Sequence, residues 1–270
     1  MIKLFQEGVE IPVDYWKFPT GETGVKITGN INIAESSYIS VRVNFENNDD
    51  IINCLQVVNA LKNLGVSDYR VIVDIPYLPY SRQDRVCHPG EAFSLEVIIQ
   101  VLKTMKVLVR TYDLHSQVAF HDLGADFLMN VPQFVCAAEL PNHDFLIAPD
   151  KGAARKMQDS SGQFHEQIVT LSKTRVGGKV IYEDFTEVEL SGKVCVIDDL
   201  CDGGNTFVAL GEMIRRLHPK ITEFNLYVTH GAFTQGIEKI SEIYDNIYCN
   251  NFMNSKGLVD ADLNPKLKLI

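Results

Sequence analysis

The sequence has little of what marks nucleic-acid-binding, membrane or secreted proteins. Its 270 residues carry 25 Lys and Arg against 35 Asp and Glu, a formal net charge of −10, so a broad basic surface for nucleic acid is not expected. No apolar run is long enough to cross a bilayer, and residues 1–8 lack the apolar segment of a signal peptide. These absences predict a cytoplasmic protein that binds neither nucleic acid nor a membrane.

Paired cysteines are absent as well. None of the 6 cysteines belongs to a Cys-x-x-Cys pair, so a zinc site is not expected, and several lie in apolar segments typical of buried thiols in a reducing compartment. With 46% hydrophobic and 22% charged residues, the composition is that of an ordinary globular protein. The acidic balance does not exclude phosphorylated ligands, because these bind in local pockets.

Strand and helix patterns alternate along the chain, which predicts an α/β protein with parallel sheets. A junction around residues 130–142, which contains Pro132 and Pro141, predicts two doubly wound domains, residues 1–135 and 136–270. The predicted strands are 25–33, 37–45, 71–75, 107–111, 145–148, 167–171, 180–183, 194–197 and 224–229, and the predicted helices are 51–64, 94–103, 151–158 and 207–217.

The densest chemical signal lies at residues 194–206. A buried strand pattern at 194–197 runs into the adjacent acids Asp198 and Asp199, then Asp202, two glycines and a helix. A Gly-rich turn before a helix offers free backbone N–H groups to an anion. The acids beside this turn are consistent with a site in which they hold sugar hydroxyls or a magnesium ion while the turn holds a phosphate. A solvated corner between strand and helix is the alternative.

A second dense segment, residues 76–85, follows the predicted strand 71–75 and therefore stands at the carboxyl edge of the sheet, where open α/β sheets bind ligands. Arg82 and Arg85 can grip phosphates with forked hydrogen bonds, and Gln83 and Asp84 can read a base or orient the arginines. Here the alternative is a solvated turn.

These segments carry a resemblance to a known family. Residues 198–206 resemble the phosphoribosyl-diphosphate loop of the type I phosphoribosyltransferase fold, and Pro76-Tyr-Leu-Pro-Tyr-Ser-Arg-Gln-Asp-Arg85 resembles the ATP signature of ribose-phosphate diphosphokinases. Further segments keep the family's order, so the resemblance spans about residues 16–250: Phe18-Pro-Thr-Gly-Glu22, Thr111-Tyr-Asp-Leu-His115, Ala148-Pro-Asp-Lys-Gly152, Leu171-Ser-Lys-Thr-Arg175 and Thr229-His-Gly-Ala-Phe233.

The resemblance implies two domains of the type I phosphoribosyltransferase fold and transfer of the β,γ-diphosphoryl group of ATP to the C1 hydroxyl of a 5-phosphorylated ribose. ATP, the ribose phosphate and Mg²⁺ are the implied ligands, and a homo-oligomer, dimer or higher, is the implied assembly. The implied site residues are Phe18, Glu22, Arg82, Gln83, Asp84 and Arg85 for ATP; His115 and Asp150 for metal; Asp198, Asp199, Asp202, Gly203, Gly204, Asn205 and Thr206 for the ribose phosphate; and Lys173, Arg175 and Asp199 for catalysis.

The sequence departs from the family pattern in three places. The stretch before Phe18 leaves little room for the usual strand and helix, which puts the family's hexamer and its allosteric site in doubt. Thr20 stands where the family has Asp. In the phosphate loop, Gly203 replaces a Thr and Asn205 adds a side chain. Ribose 5-phosphate stays the expected acceptor. Loss of a hydroxyl donor and of bulk suggests as an alternative a larger acceptor such as ADP-ribose, which would connect the protein to NAD metabolism.

Two other classes stay open. A phosphoribosyltransferase would share the loop at 198–206 but would need neither the arginine segment nor Lys173 and Arg175. A non-catalytic regulatory relative would bind nucleotide and a catalytic partner. Such a protein is expected to lose catalytic basic or metal residues, whereas this chain retains His115, Asp150, Lys173 and Arg175.

Overall fold

The computed structural model describes residues 2–34, 37–119, 127–159, 167–171, 173–176, 179–182, 188–253 and 264–270. It divides into two compact units, Met1–Val131 and Pro132–Ile270. Each unit contains a six-stranded sheet. Within the described ranges, no helix has the length and hydropathy needed to span a membrane. The functional division into a nucleotide half and a ribose-phosphate half stays a prediction.

The first unit is built on a mixed sheet with the strand order β2-β1-β5-β6-β7-β8. Strand β1 is antiparallel to β2 and β5, and the remaining neighbours are parallel, while β3 and β4 form a separate antiparallel hairpin. The elements are β1 (Ile2–Gln6), β2 (Val9–Ile11), β3 (Val13–Lys17), β4 (Thr23–Ile27), β5 (Ile39–Val43), α1 (Asp49–Asn63), β6 (Val71–Asp74), α2 (Ser94–Lys103), β7 (Leu108–Tyr112) and β8 (Leu128–Val131).

The two faces of this sheet differ in character because successive side chains of a strand point to opposite sides. One face carries aliphatic residues that are at most 1% exposed and that share a core with helices α1 and α2; they include Leu4, Val41, Val73 and Val109. The neighbouring positions form a charged row in register across four strands, Lys3, Arg42, Asp74 and Arg110. Arg110 donates two hydrogen bonds of 3.0 Å to the Asp74 carboxylate.

The second unit contains an all-parallel sheet with the strand order β10-β9-β13-β14-β15-β16. Strands β11 and β12 pair with each other as an antiparallel hairpin. The elements are α3 (Gln133–Cys136), β9 (Phe145–Ala148), α4 (Lys151–Asp159), β10 (Gln167–Thr170), β11 (Lys173–Val176), β12 (Lys179–Tyr182), β13 (Gly192–Cys201), α5 (Asn205–Leu217), β14 (Ile221–Gly231), α6 (Glu238–Ile243), β15 (Asn246–Phe252) and β16 (Leu267–Leu269).

Helices cover both faces of the second sheet. Phe207 and Leu210 of α5 share one core cluster with Val196 of β13. On the other face, Ala154 of α4 shares a second cluster with Ile197. Alternate residues of β13 therefore enter different cores, which explains the nearly continuous apolar run of a strand that is buried on both sides.

The α/β class with parallel sheets is confirmed, and helix 94–103 and strand 145–148 have the predicted bounds. Several bounds differ. Strand β4 ends at Ile27, not at 33; α5 begins at Asn205, two residues early; and β13 continues through the acid pair to Cys201, because Asp198 still pairs with Val228 of β14. Residues 2–17, expected to leave little room, form β1 to β3, which the sequence analysis missed together with β8, β15 and β16.

The cysteine burial yields a direct test. Cys87 is exposed and the other five thiols are buried, and burial raises the pKa of Cys54 and Cys249 to about 12. A thiolate-selective reagent at pH 8 should therefore label one thiol per native chain rapidly. Cys87→Ser should remove the rapid phase, and denaturant should expose all the remaining thiols. Rapid native labelling of two or more thiols would contradict this burial.

Candidate functional site

Three acids meet at the carboxyl edge of the second sheet, where β9 and β13 run parallel as neighbours. Asp150 follows the end of β9, and Asp198 and Asp199 lie near the end of β13. The Asp199 N–H donates to Asp198 Oδ1 at 2.9 Å. Burial, followed by the neighbouring charges of Asp199 and Asp150, raises the pKa of the Asp198 carboxyl well above its ordinary value. The three side chains thus crowd their carboxyl oxygens at one edge, where a cation or a hydroxyl donor that binds relieves the repulsion between them.

Lys156 partly offsets that charge. Its Nζ lies 2.8 Å from Asp199 Oδ2, and the two side chains are 19% and 8% exposed. Helix α4 supplies this lysine, and Asp150 sets the start of the helix because its Oδ1 accepts hydrogen bonds from the N–H groups of Gly152 and Ala153 at 2.8 and 2.9 Å. The Asp150 carboxylate thus acts as the N-cap of α4, the helix that places Lys156 beside Asp199.

Beyond the acid pair, residues 202–206 turn the chain sharply into α5. Gly204 adopts φ +79°, and a Cβ built there would lie 2.6 Å from Ile240 Cδ1, so both backbone and packing require glycine. The helix begins at Asn205, so the first N–H groups of a 13-residue helix face this turn. We call residues 202–206, the turn and the helix start, the anion cradle.

A second segment, residues 232–236 after β14, packs beside the cradle. Ala232 N–H donates to the Cys201 carbonyl at 2.8 Å. Thr234 bonds Asp202 twice, through its N–H to the carbonyl at 3.0 Å and through its hydroxyl to Oδ1 at 2.8 Å. These contacts connect the cradle to the segment that follows β14. The start of α5 is therefore held in place by two separate segments of the chain.

In the first unit, the arginine segment forms turns after β6. Arg82, Gln83 and Arg85 are exposed. Asp84 accepts a hydrogen bond from Arg85 Nε at 3.0 Å, so Asp84 orients an arginine as the sequence suggested. The guanidinium groups are therefore presented where a soluble anionic ligand can reach them.

The start of that segment is anchored to the rest of its unit. Tyr80 adopts φ +62°, and its hydroxyl donates to Asn48 Oδ1 at 2.7 Å. Ser81, directly before the arginines, is 1% exposed. The turn that carries the arginines is thus held at its base while its polar side chains reach solvent.

The remaining predicted residues of this unit are exposed on turns. Phe18 is 47% exposed, and the hairpin turn closes through a bond of 2.8 Å from its N–H to the Glu22 carbonyl. The Thr20 hydroxyl donates to Glu22 Oε2 at 2.6 Å, so the residue that replaces a family Asp supports the acid instead of repelling it. His115 is exposed three residues after β7.

Lys173 and Arg175 lie on β11, in antiparallel register with Tyr182 and Val180 of β12. The sequence analysis predicted no strand at these positions, whereas here their backbone belongs to a hairpin. Their side chains lie outside the described part of the structure. Their catalytic role stays a prediction.

The structure thus brings Asp150, Asp198 and Asp199 together with the cradle, and it places residues 82–85 on one turn. The sequence analysis selected Asp150 and the acid pair from separate motifs, and the fold places them near one another. The roles assigned to them stay predictions.

The structure also reveals Lys156, Thr234 and Gln235, which the sequence analysis did not select. Lys156 carried a weak signal, because it lies on the predicted helix that follows the predicted metal residue Asp150. Thr234 and Gln235 gave no local signal. Their contacts are made to residues more than 25 positions away in sequence, Asp202 and Asn205.

The donor set fits magnesium. Among the described residues, no group of three or more His, Cys, Asp or Glu side chains could hold a metal ion by itself. Mg²⁺ is commonly bound through one or two carboxylates plus substrate phosphates and needs no dedicated protein cage. Asp150 and the pair Asp198 and Asp199 offer carboxylate oxygens of that kind, so the edge suits a cation that arrives with a phosphorylated ligand.

Comparisons with known proteins agree on one family. Residues 8–105 match the model described as the N-terminal domain of ribose phosphate pyrophosphokinase. The chain is 27% identical over 248 residues to ribose-phosphate pyrophosphokinase of Thermococcus kodakarensis, covering 89% of this chain and 85% of the relative. It is 25% identical over 254 residues to that of Pyrococcus abyssi, covering 92% and 87%.

The resemblance to the ribose-phosphate pyrophosphokinase family is thereby confirmed over most of the chain. The fold agrees with this resemblance. The crystal structure of phosphoribosylpyrophosphate synthetase from Mycobacterium smegmatis is similar with a TM-score of 0.73 and 18% sequence identity, covering 96% of this chain and 86% of that one. The expected fold class, with its phosphoribosyltransferase-like sheets, is thereby confirmed.

Gly204→Ala should lower the free energy of unfolding by about 2–4 kcal/mol, because the cost of a left-handed backbone adds to the cost of a crowded Cβ. Gly65→Ala is the control, because Gly65 has φ +92° but no atom within 4 Å of its Cβ position. The control should lose only about 1–2 kcal/mol. Equal losses in chemical denaturation would show that Ile240 does not crowd the cradle.

Lys156→Met should lower the free energy of unfolding by about 1–3 kcal/mol, because the buried Asp199 carboxylate loses a charged partner beside two other acids. Lys151→Met, at an exposed position of the same helix, should stay within about 0.5 kcal/mol of wild type. Thermal and denaturant unfolding measure both. If Lys156→Met had the same free energy of unfolding as the wild type, the ion pair with Asp199 would not stabilise the fold.

Proposed function

We propose that the protein is an ATP-dependent diphosphokinase that transfers the β,γ-diphosphoryl group of ATP to the C1 hydroxyl of ribose 5-phosphate, giving phosphoribosyl diphosphate and AMP. The observation that supports the proposal is the acid pair Asp198 and Asp199 beside the cradle 202–206, in a chain that is similar to ribose-phosphate pyrophosphokinases over most of its length. A sugar phosphate needs both parts, hydroxyl acceptors and an anion site.

The acceptor is held at the second unit. Asp198 and Asp199 accept hydrogen bonds from the ribose hydroxyls, and the backbone N–H groups at the start of α5 bind the 5-phosphate. Lys156 keeps Asp199 oriented through their 2.8 Å contact. The ribose is thereby fixed with its anomeric hydroxyl presented for attack, and such positioning is a major source of catalysis.

The nucleotide is held at the first unit. Arg82 and Arg85 bind ATP phosphates, with Gln83 and Asp84 orienting them or reading the base. The exposed Phe18 ring and Glu22 form part of an adenine pocket. The proposal retains a homo-oligomer, dimer or higher, in which Phe18 and Glu22 serve the nucleotide of a neighbouring copy.

In the transfer step, the ribose C1 hydroxyl oxygen attacks the β-phosphorus of ATP, and the hydroxyl proton is released to solvent. The bond from that phosphorus to the oxygen bridging the α- and β-phosphates breaks, and AMP leaves with this oxygen. Lys173 and Arg175 offset the charge that develops on the transferred group. His115 and Asp150 are the proposed metal residues, and Mg²⁺ would neutralise part of the phosphate charge when bound.

A larger 5-substituted ribose such as ADP-ribose is the second candidate acceptor. The segments 202–206 and 232–236 contain no Lys or Arg, and Asp202 is their one charged residue. A diester phosphate with one negative charge suits such a cradle better than a dianionic monophosphate. The side chain of Gln235 takes up part of the room expected at Gly203, because a Cβ built there would lie 3.1 Å from its Cδ and Nε2.

An acceptor screen tests the function. With ATP and Mg²⁺, ribose 5-phosphate should release AMP and form a diphosphorylated sugar of matching mass, and ADP-ribose is offered in parallel. Diphosphate released from a phosphoribosyl donor and a base would instead indicate a phosphoribosyltransferase. Nucleotide binding with no AMP from either acceptor would support the non-catalytic relative.

Lys173→Ala should lower turnover by about 10²-fold or more, the scale of one lost transition-state charge contact. Nucleotide binding, measured by calorimetry, should survive. Lys179→Ala, on the paired strand of the same hairpin, is the matched control and should retain turnover within a few-fold. Unchanged turnover in Lys173→Ala would remove this lysine from the mechanism.

A further inference from the structure

The side chain of Gln235 lies where a side chain at Gly203 would stand. A Cβ built on Gly203 would be 3.1 Å from both Cδ and Nε2 of Gln235, closer than ordinary van der Waals contact. The two residues are far apart in sequence, and β14 with the following turn brings them together. The amide of Gln235 therefore forms one wall of the anion cradle.

The orientation of that amide follows from its partner. Asn205 Nδ2 donates to Gln235 Oε1 at 3.4 Å, which turns the oxygen toward Asn205 and leaves the nitrogen beside Gly203. The backbone before Gln235 is held as well, because Thr234 N–H donates to the Asp202 carbonyl at 3.0 Å. Gln235 and Asn205 are both exposed, so a ligand can reach them.

The chemistry of the wall follows from these contacts. Position 203 supplies no side-chain donor of its own, and a neutral amide from another segment occupies the space beside it. An amide nitrogen has two donors and no acceptor, so it favours a phosphoryl oxygen over a hydroxyl donor. The wall thus adds a side-chain donor to the backbone N–H groups at the start of α5.

We propose that Gln235 is a specificity-determining residue that donates a hydrogen bond to the 5-phosphoryl group of the acceptor, with Asn205 fixing its orientation. This inference rests on the proposed function. Hydrogen bonds to charged groups contribute about 1.5–3 kcal/mol, so loss of the donor corresponds to roughly 10- to 100-fold weaker acceptor binding.

Calorimetry without ATP measures acceptor binding apart from catalysis, with ribose 5-phosphate and ADP-ribose as probes. Gln235→Leu, similar in volume but without donors, should weaken binding of the preferred probe at least 10-fold. In a separate kinetic assay, the same variant should leave the KM for ATP unchanged. Gln158→Leu, at an exposed position on α4, is the control and should bind as wild type does. Gln235→Asn keeps the amide on a shorter stem and should also bind more weakly.

A double variant moves the side-chain hydrogen-bond donor from position 235 to position 203. Gly203→Thr with Gln235→Gly removes the glutamine and places a hydroxyl at position 203, so it should recover ribose 5-phosphate binding relative to Gln235→Leu. It should also change the ratio of affinities for the two probes. Thermal unfolding of every variant separates lost binding from lost folding.

The outcomes separate the two claims. Wild-type affinity in both Gln235→Leu and Gln235→Asn overturns the role of Gln235 and leaves the proposed function standing. A wild-type protein that binds neither probe and forms no AMP overturns both. Acceptor binding that depends on Gln235 without any AMP formation supports the residue's role in a non-catalytic relative and overturns the transfer reaction.

Discussion

The parallel pairing of β13 with β9 on one side and β14 on the other is the constraint on which the candidate site depends. Parallel strands end at the same edge, so Asp150, the pair Asp198 and Asp199, and the turn after β14 are delivered to one place by backbone hydrogen bonds. The pairing continues through Asp198, which gives the acid pair the rigidity of a strand. A free loop would not hold adjacent carboxylates in so fixed a position.

Electrostatics at this edge depends on contacts between residues distant in sequence. Burial, and then the neighbouring charges of Asp199 and Asp150, raise the pKa of Asp198, and Lys156 reduces the repulsion between the acids through its contact with Asp199. The repulsion that remains is useful for a ligand site, since a cation or a sugar hydroxyl that binds there relieves it. The cradle beside it relies on backbone N–H groups and amides, so phosphate and hydroxyl recognition are divided between adjacent segments.

Local patterns predicted much of this arrangement. Helix 94–103 and strand 145–148 followed from periodicity, and the acid pair and Gly-rich turn stood out because their sequence is contiguous. Lys156 and Gln235 did not, because their roles arise from contacts with residues 43 and 30 positions away. The strands β1 to β3 escaped notice because their antiparallel, half-exposed pattern is interrupted by polar residues and short turns.

The charged row of the first sheet has a consequence for folding fidelity. Lys3, Arg42, Asp74 and Arg110 occupy matching positions on adjacent strands, directly beside the aliphatic residues of the core. If β6 slipped by one residue against β7, Asp74 would turn toward the apolar side and lose its two bonds to Arg110. Misaligned versions of this sheet are therefore strongly disfavoured, and the row discriminates the native alignment from its nearest competitors.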